Sequence, residues 1–307
     1  MISELEKCEY VYHYTYFESL LSILEFYRQQ KFHNALPFKA TCIYNVNDPT
    51  EMERGISALK RFLPEYENSI TNNLGLSEVF TEEQYEEKCI KQFNHRDNGS
   101  MIENGVIPYT TSFSLKKDFL PMWSMYGNSG YGVCLKFNLK KIVEMLPDRH
   151  LFGMVSYDES TEKKALNEIL PLLYKYTLND TTPPMTIEDK INEVSSILLN
   201  VSPFMKKEEY EYEQEFRIAY YKYYGDEIDP FSSKEAKRRK MLNVINNGMS
   251  KSVIVPFQYI PINANSLEEI IIGPKAEYNV IEHVLRNELK ECLLNKVLIT
   301  ESLIPIK

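Results

Sequence analysis

Tyr10-Val11-Tyr12-His13-Tyr14-Thr15-Tyr16-Phe17-Glu18-Ser19-Leu20-Leu21-Ser22-Ile23-Leu24 is the stretch on which the fold turns. Tyr10 to Thr15 is a β-prone run of aromatic and branched residues, and it predicts a short strand. After it the apolar period changes. Phe17, Leu20, Leu21, Ile23 and Leu24 recur at helical spacing, up to about Tyr27. A strand therefore runs into a helix, with His13 at the junction.

Outward from this unit, strands and helices do not alternate regularly. Lys39 to Tyr44 predicts a second strand, ended by Asn45-Val46-Asn47-Asp48-Pro49. Asp48 as N-cap, Pro49 in the first helical position and Glu51 in the third predict a helix start. Residues 51–100 then read as a charged helical insertion. Strands are expected at Ile107 to Phe113, Gly130 to Phe137, Phe152 to Tyr157, Glu211 to Tyr224, Ser252 to Ile260 and Leu267 to Ile272. Helices are expected around Phe119 to Tyr126, through a second insertion at 161–207 broken at Thr181-Thr182-Pro183-Pro184, at Ser232 to Asn247 and at Asn279 to Cys292. Strands interleaved with grouped helices point to an α+β fold rather than a doubly wound one. With no repeat or clear linker, one elaborated domain over 1–307 is expected.

The chain has 307 residues, 43% hydrophobic and 12% aromatic, enough for a substantial core. Its 35 Lys+Arg against 44 Asp+Glu give a net charge of −9, which disfavours broad wrapping of nucleic acid. A local basic run, Lys234, Lys237, Arg238, Arg239 and Lys240, keeps nucleic-acid processing as a third reading. Cys8, Cys42, Cys89, Cys134 and Cys292 form no C-x-x-C pair, and the five histidines form no metal-binding spacing. Neither a disulfide framework nor a metal is expected. The N-terminal residues lack a signal-peptide pattern, so a cytoplasmic protein without a membrane span is the expectation. There is no Gly-rich phosphate loop.

Several polar-aromatic clusters are candidates for one cleft: His13 and Thr15; Asn47, Asp48 and Glu51; Ser112 and Ser114; Trp123 and Tyr126; Glu213, Glu215 and Arg217. Strand alternation would place Glu213, Glu215 and Arg217 on one face, the glutamates about 6–7 Å apart. A solvated charge cluster is the ordinary explanation of such an E-x-E-x-R. A perturbed carboxylate pair is the functional one. Trp123 and Tyr126, three apart on one helix face, are most simply an aromatic plug.

Taken in order, Asn47-Asp48-Pro49-x-Glu51, Phe113-Ser114, Met122-Trp123-x-x-Tyr126, Gly130-x-Gly132-x-x-Leu135-x-Phe137, Val155-x-Tyr157, Glu213-x-Glu215-Phe216-Arg217 and Ile271-Ile272-Gly273 resemble a widespread bacterial family known only as a domain of unknown function. More loosely, Tyr12-His13-Tyr14-Thr15 leading into Leu20-Leu21-Ser22-Ile23-Leu24 looks like the first motif of ADP-ribosyltransferase folds, including DarT-type toxins and RNA 2′-phosphotransferases. That resemblance implies an NAD-consuming transferase or glycohydrolase, in the role of a toxin or anti-phage effector. His13, Thr15, Ser112, Ser114, Trp123 and Tyr126 would hold NAD, Glu215 would stabilise the ribosyl cation, and Glu213 would position the acceptor. The partners it implies are NAD, a protein or nucleic-acid acceptor, and an antitoxin or sensor protein. Arg217 and the N-D-P-x-E residues have no place in the usual transferase motif. A nucleotide- or protein-sensing module without catalysis is the alternative.

Overall fold

The computed structural model describes residues 8–29, 34–43, 54–55, 57–58, 61–62, 106–147, 150–174, 200–223, 242–247 and 251–305. Within them the architecture is mixed α/β, an open mixed sheet with several helices. Strand β1 (Tyr10–Thr15) pairs antiparallel along its whole length with β4 (Val133–Asn138), from Tyr10 opposite Asn138 to Thr15 opposite Val133. β4 pairs β9 (Leu267–Ile272), and β9 takes β10 (Leu298–Glu301) as its parallel neighbour.

The position of the site follows from β3 (Val106–Ser114). One edge of β3 is fully laddered to β6 (Glu215–Tyr223), from Val106 opposite Tyr223 to Ser114 opposite Glu215, and β6 carries β5 (His150–Met154) beyond it. The other edge is shared. β1 meets it at Tyr12 opposite Ser114, whereas β2 (Ala35–Cys42) meets it at Thr41 opposite Thr110 and Cys42 opposite Tyr109. The sheet therefore forks at β3. The β2 arm continues through β8 (Lys251–Asn263) to β7 (Leu242–Asn247).

Helix α1 (Phe17–Gln29) and helix α5 (Tyr278–Glu291) cover one face. Leu20 and Leu24 of α1 and Leu285 and Leu289 of α5 are buried against Val11, Phe38, Phe113, Leu135, Phe137, Phe216, Ile260 and Ile262. Each such side chain contributes about 1.5–3 kcal/mol by leaving water. On the opposite face, helix α2 (Leu120–Met125) packs Met122 and Trp123 on Tyr12, Tyr14, Cys134 and Ile271. Two glycine motifs meet at the end of β4. A Cβ on Gly132 would stand 2.3 Å from the Thr15 carbonyl oxygen, and one on Gly273 would stand 2.4 Å from that of Gly130. Backbone packs directly on backbone there, which only glycine permits.

Several expectations need correction. The basic helix from Ser232 to Asn247 is not one element, because Leu242–Asn247 is a strand pairing antiparallel with 251–256. Its β-branched Val244 and Ile245 fit that ladder better than a helix. The basic run itself lies outside the described residues. Glu213 is not on a strand: it closes a 3-10 turn, Glu208–Glu213, and Gln214 takes a left-handed φ of 42° before β6 begins. The strand expected at Phe152 to Tyr157 is His150–Met154, followed by a bridge from Ser156 to Met205. β10 was not foreseen. In the insertions, residues 54–55, 57–58 and 61–62 are helical, as is α4 (Glu159–Tyr174), which follows α3 (Leu139–Val143). Asn47, Asp48 and Glu51 lie outside the described residues.

Candidate functional site

The E-x-E-x-R motif is the centre of a buried ionic cluster. Lys206, Glu213, Glu215 and Arg217 are all buried, Glu213 completely. The Lys206 ammonium joins the two carboxylates, 2.5 Å from Glu213 Oε2 and 3.2 Å from Glu215 Oε1. The glutamates therefore do not stand apart as an extended strand would hold them, since the left-handed Gln214 turns Glu213 back toward the same cation. Arg217 Nε donates to Glu215 Oε2, and its Nη1 donates to the Pro203 carbonyl at 2.9 Å. Tyr126 OH donates to Glu213 Oε1 at 2.7 Å, and Tyr212 OH reaches the same oxygen at 3.3 Å. Ser114 Oγ donates to the Glu213 carbonyl at 2.6 Å, and the Glu215 amide donates to Tyr157 OH at 2.8 Å.

Two cations and two carboxylates balance, as buried charges must. The environment separates the two acids. Burial pushes Glu213 up to about 7, aided by the hydrogen bond and charge of Glu215 and opposed by Lys206. Burial also works to raise Glu215, but Arg217 and Lys206 beside it prevail and hold it down at about 2. Such a split marks functional sites and structural ion networks alike.

Trp123 is fully buried, which corrects the expectation that it offers a stacking face. Its ring meets Tyr14 edge-on at 5.0 Å, and its indole N–H donates to Asp118 Oδ1 at 2.8 Å. Asp118 also accepts from Ser302 Oγ and the Leu303 amide, so the same carboxylate fastens the C-terminal segment over this cluster.

His13 and Thr15 belong to the other face. Tyr12 shares a face with Ser114, to which it is opposite in register, and Ser114 shares one with Glu215. Period-two alternation then sends His13 to the face of Phe113 and Phe216. Its ring indeed packs edge-on to Phe38 at 5.0 Å and tilted to Phe113 at 5.5 Å. The structure thus unites Ser114, Tyr126, Glu213, Glu215 and Arg217, and it separates His13 from them. Ser112 touches both groups: it lies opposite Arg217 in the ladder, and its carbonyl accepts from His13 Nδ1 at 2.9 Å.

That bond sits in the fork, where β3 pairs with neither β1 nor β2. With Nδ1 carrying the proton, Nε2 is left as an acceptor. Burial lowers the imidazole pKa, the Ser112 bond opposing it, so His13 is neutral at physiological pH. A crevice of about 500 Å³ opens beside it, between α1, β2 and β8. Glu18, Ser19, Ser22, Glu25, Phe26 and Gln29 line it from α1, a stripe at helical spacing, with Lys39 and Tyr259 opposite. Sequence reasoning missed this stripe and also Lys206. No group of three or more His, Cys, Asp or Glu among the described residues is placed to hold a metal ion. No described helix is long and apolar enough to cross a membrane.

The model of a family described as "Protein of unknown function (DUF2971)" matches residues 122–218. This stretch, less than a third of the chain, holds Trp123, Tyr126 and the whole Lys206–Glu213–Glu215–Arg217 cluster, and it supports a domain-of-unknown-function family. No curated protein and no solved structure matches the chain.

Proposed function

We propose that this protein binds NAD in the crevice at the fork of the sheet, on a core of the ADP-ribosyltransferase type. The observation that carries the reading is His13: a neutral imidazole, its Nδ1 committed to the Ser112 carbonyl and its Nε2 an acceptor, in a crevice lined by hydroxyls and aromatic rings. Such a group selects a hydroxyl donor over an anion, and a ribose supplies one. The rings of Phe26 and Tyr259 suit a flat base or nicotinamide, and the volume is of the size that takes a dinucleotide.

ADP-ribosyl transfer or NAD hydrolysis in that crevice needs a carboxylate against the developing ribosyl cation. Glu215 lies across the sheet with both oxygens in ion pairs. The crevice has its own candidates in Glu18 and Glu25, and we assign the role to Glu18, in the first turn of α1 and three residues after Thr15. A second reading, a nucleotide sensor without turnover, is favoured by the fully paired state of Glu213 and Glu215.

Calorimetric titration with NAD, together with chromatographic assay of released nicotinamide, decides between them. Binding that disappears in His13→Ala, with nicotinamide release that disappears in Glu18→Gln, supports the enzyme. Binding without release supports the sensor. If NAD at millimolar concentration leaves the protein's heat signal and melting temperature unchanged, both readings fall. For an effector role, the corresponding assay is depletion of NAD in cells that express the chain.

A further inference from the structure

The fork leaves an open strand edge beside the crevice. Among the described residues, β2 from Ala35 to Ala40 pairs with β8 alone, because β3 joins it only at Thr41 and Cys42. Two prolines fix which backbone groups face outward. Pro37 stands opposite Pro261 and neither has an N–H, so this antiparallel pair is a non-hydrogen-bonded one. Asn34, three residues away and so in the opposite set, agrees: its carbonyl accepts from the Ala264 amide. Ala35, Pro37 and Lys39 therefore turn their backbone groups away from β8. Thr41, next in that set, meets Thr110 of β3, whereas Lys39 would meet Ser112, whose carbonyl accepts from His13 instead. Pro37, Phe38 and Lys39 all line the crevice although their side chains alternate between faces, so the crevice runs along the edge of the strand.

The opposite wall is α1, with Glu18, Ser22, Glu25 and Gln29 on one stripe. One helical turn advances about 5.4 Å and two residues of strand about 6.7 Å. Alternate side chains of an extended chain lying between β2 and α1 would thus meet about one turn each. An open edge facing such a wall is the setting in which a peptide adds as a strand. Charge indicates which peptide. Glu18 and Glu25 are exposed and form no ion pair among the described residues, and Gln29 Nε2 donates to Glu25 Oε1 at 3.3 Å without neutralising it. Lys39 is the cation of the strand wall. Its ammonium lies 5.1 Å from the centre of the Phe257 ring, opposite Thr41 in the ladder, so it leans toward the end of the edge that β3 occupies. The two carboxylates of the helix wall stay open to a basic partner.

We infer that the slot between the β2 edge and α1 takes an extended segment of a partner protein, added as a strand to β2 with Lys or Arg side chains toward Glu18 and Glu25. The inference goes beyond the NAD reading and stands whether or not that reading does. Fluorescence anisotropy of the full chain with a labelled, end-capped heptapeptide alternating lysine with valine tests it. The comparators are the same peptide with glutamate for lysine, and two lysine peptides N-methylated at alternate amides, one in each register. Support is binding of the lysine peptide about tenfold tighter than of the glutamate one, as two solvent-screened ion pairs allow. N-methylation in at least one register should weaken it by about tenfold, since it removes the hydrogen bonds to the β2 edge. Glu18→Gln/Glu25→Gln, at exposed positions where neither change threatens folding, should bring the lysine and glutamate peptides to parity. Equal binding of those two peptides by the parent, a preference that survives in the double variant, or no binding at millimolar peptide overturns the inference. Undiminished binding of both N-methylated peptides overturns it too, as attraction by charge without strand addition.

Discussion

Lys206→Met removes the ammonium that joins two buried carboxylates while keeping most of the length and apolar stem of the side chain. Breaking one partner out of a buried ion pair costs about 3–5 kcal/mol, because the surviving charge stays behind uncompensated. Arg217 still serves Glu215, so the loss falls mainly on Glu213, and the lower end, about 3 kcal/mol, is expected. An unfolding entropy of about 2.1 cal/mol/K per residue gives ~0.64 kcal/mol/K over 307 residues, so the melting temperature should fall by about 5 °C.

The loss should depend on pH. Glu213 already titrates above its ordinary value of 4.5, by burial first and by Glu215 next, and removal of Lys206 raises it further. A carboxyl whose folded pKa exceeds its unfolded one contributes stability that is full below the unfolded value and is lost as pH rises through the folded one. Parent and variant lose that contribution together until the pH approaches about 7, so the deficit of the variant should stay level from pH 5 to pH 6 and widen from pH 7 to pH 8. Glu215 works in the opposite sense: held down near 2, it stabilises above 4.5 and loses that contribution only as pH falls toward 2. Urea denaturation of both proteins at pH 5, 6, 7 and 8 reads the effect. A deficit under about 1 kcal/mol and flat across that range would match a solvated pair and refute the buried cluster as described.

Gly132→Ala should fail to give a stably folded protein or lose many degrees of melting temperature, since the new methyl would stand 2.3 Å from the Thr15 carbonyl oxygen and 2.9 Å from that of Gly127. An unchanged melting curve would show that β1 and this turn do not abut. Asp118→Ala should release Ser302 and Leu303 and leave the Trp123 indole N–H unpaired; with one tryptophan in the chain, a red-shifted and more quenchable emission reports it directly. Emission identical to the parent would mean that the C-terminal segment covers Trp123 without this clasp.

Local signals were legible where the chain obeys one period. Tyr10–Thr15 and Leu267–Ile272 have the expected bounds, and α1 begins at Phe17 where the apolar spacing changes. Trp123 is the core plug that its helix position suggested. Lys206 was not legible: in Met205-Lys206-Lys207-Glu208-Glu209 it reads as part of a solvated charged run, and it is buried because its backbone amide pairs with the Ser156 carbonyl, fifty residues away. Nor does any sequence rule foretell that Gln214, a residue with an ordinary Cβ, takes the left-handed conformation that folds Glu213 over the same cation.

The face of His13 was half legible, and the missing half explains the error about the cleft. Alternation alone sets His13 opposite to Tyr12 and Tyr14, but it takes the register of Tyr12 against Ser114, and of Ser114 against Glu215, to know which side the glutamates occupy. Registers between strands a hundred residues apart depend on the whole sheet. They also show that the two sites are joined rather than merged. On β3, the Ser112 carbonyl accepts from His13 on one face, and two residues later Ser114 Oγ donates to the Glu213 carbonyl on the other. The ionic cluster anchors the first residues of β6 beside the end of β3, and β3 in turn presents the carbonyl that fixes the His13 tautomer. A substitution at Glu215 can therefore alter ligand binding in the crevice without touching the ligand, and only the comparison with His13→Ala and Glu18→Gln separates that indirect effect from chemistry at Glu215 itself.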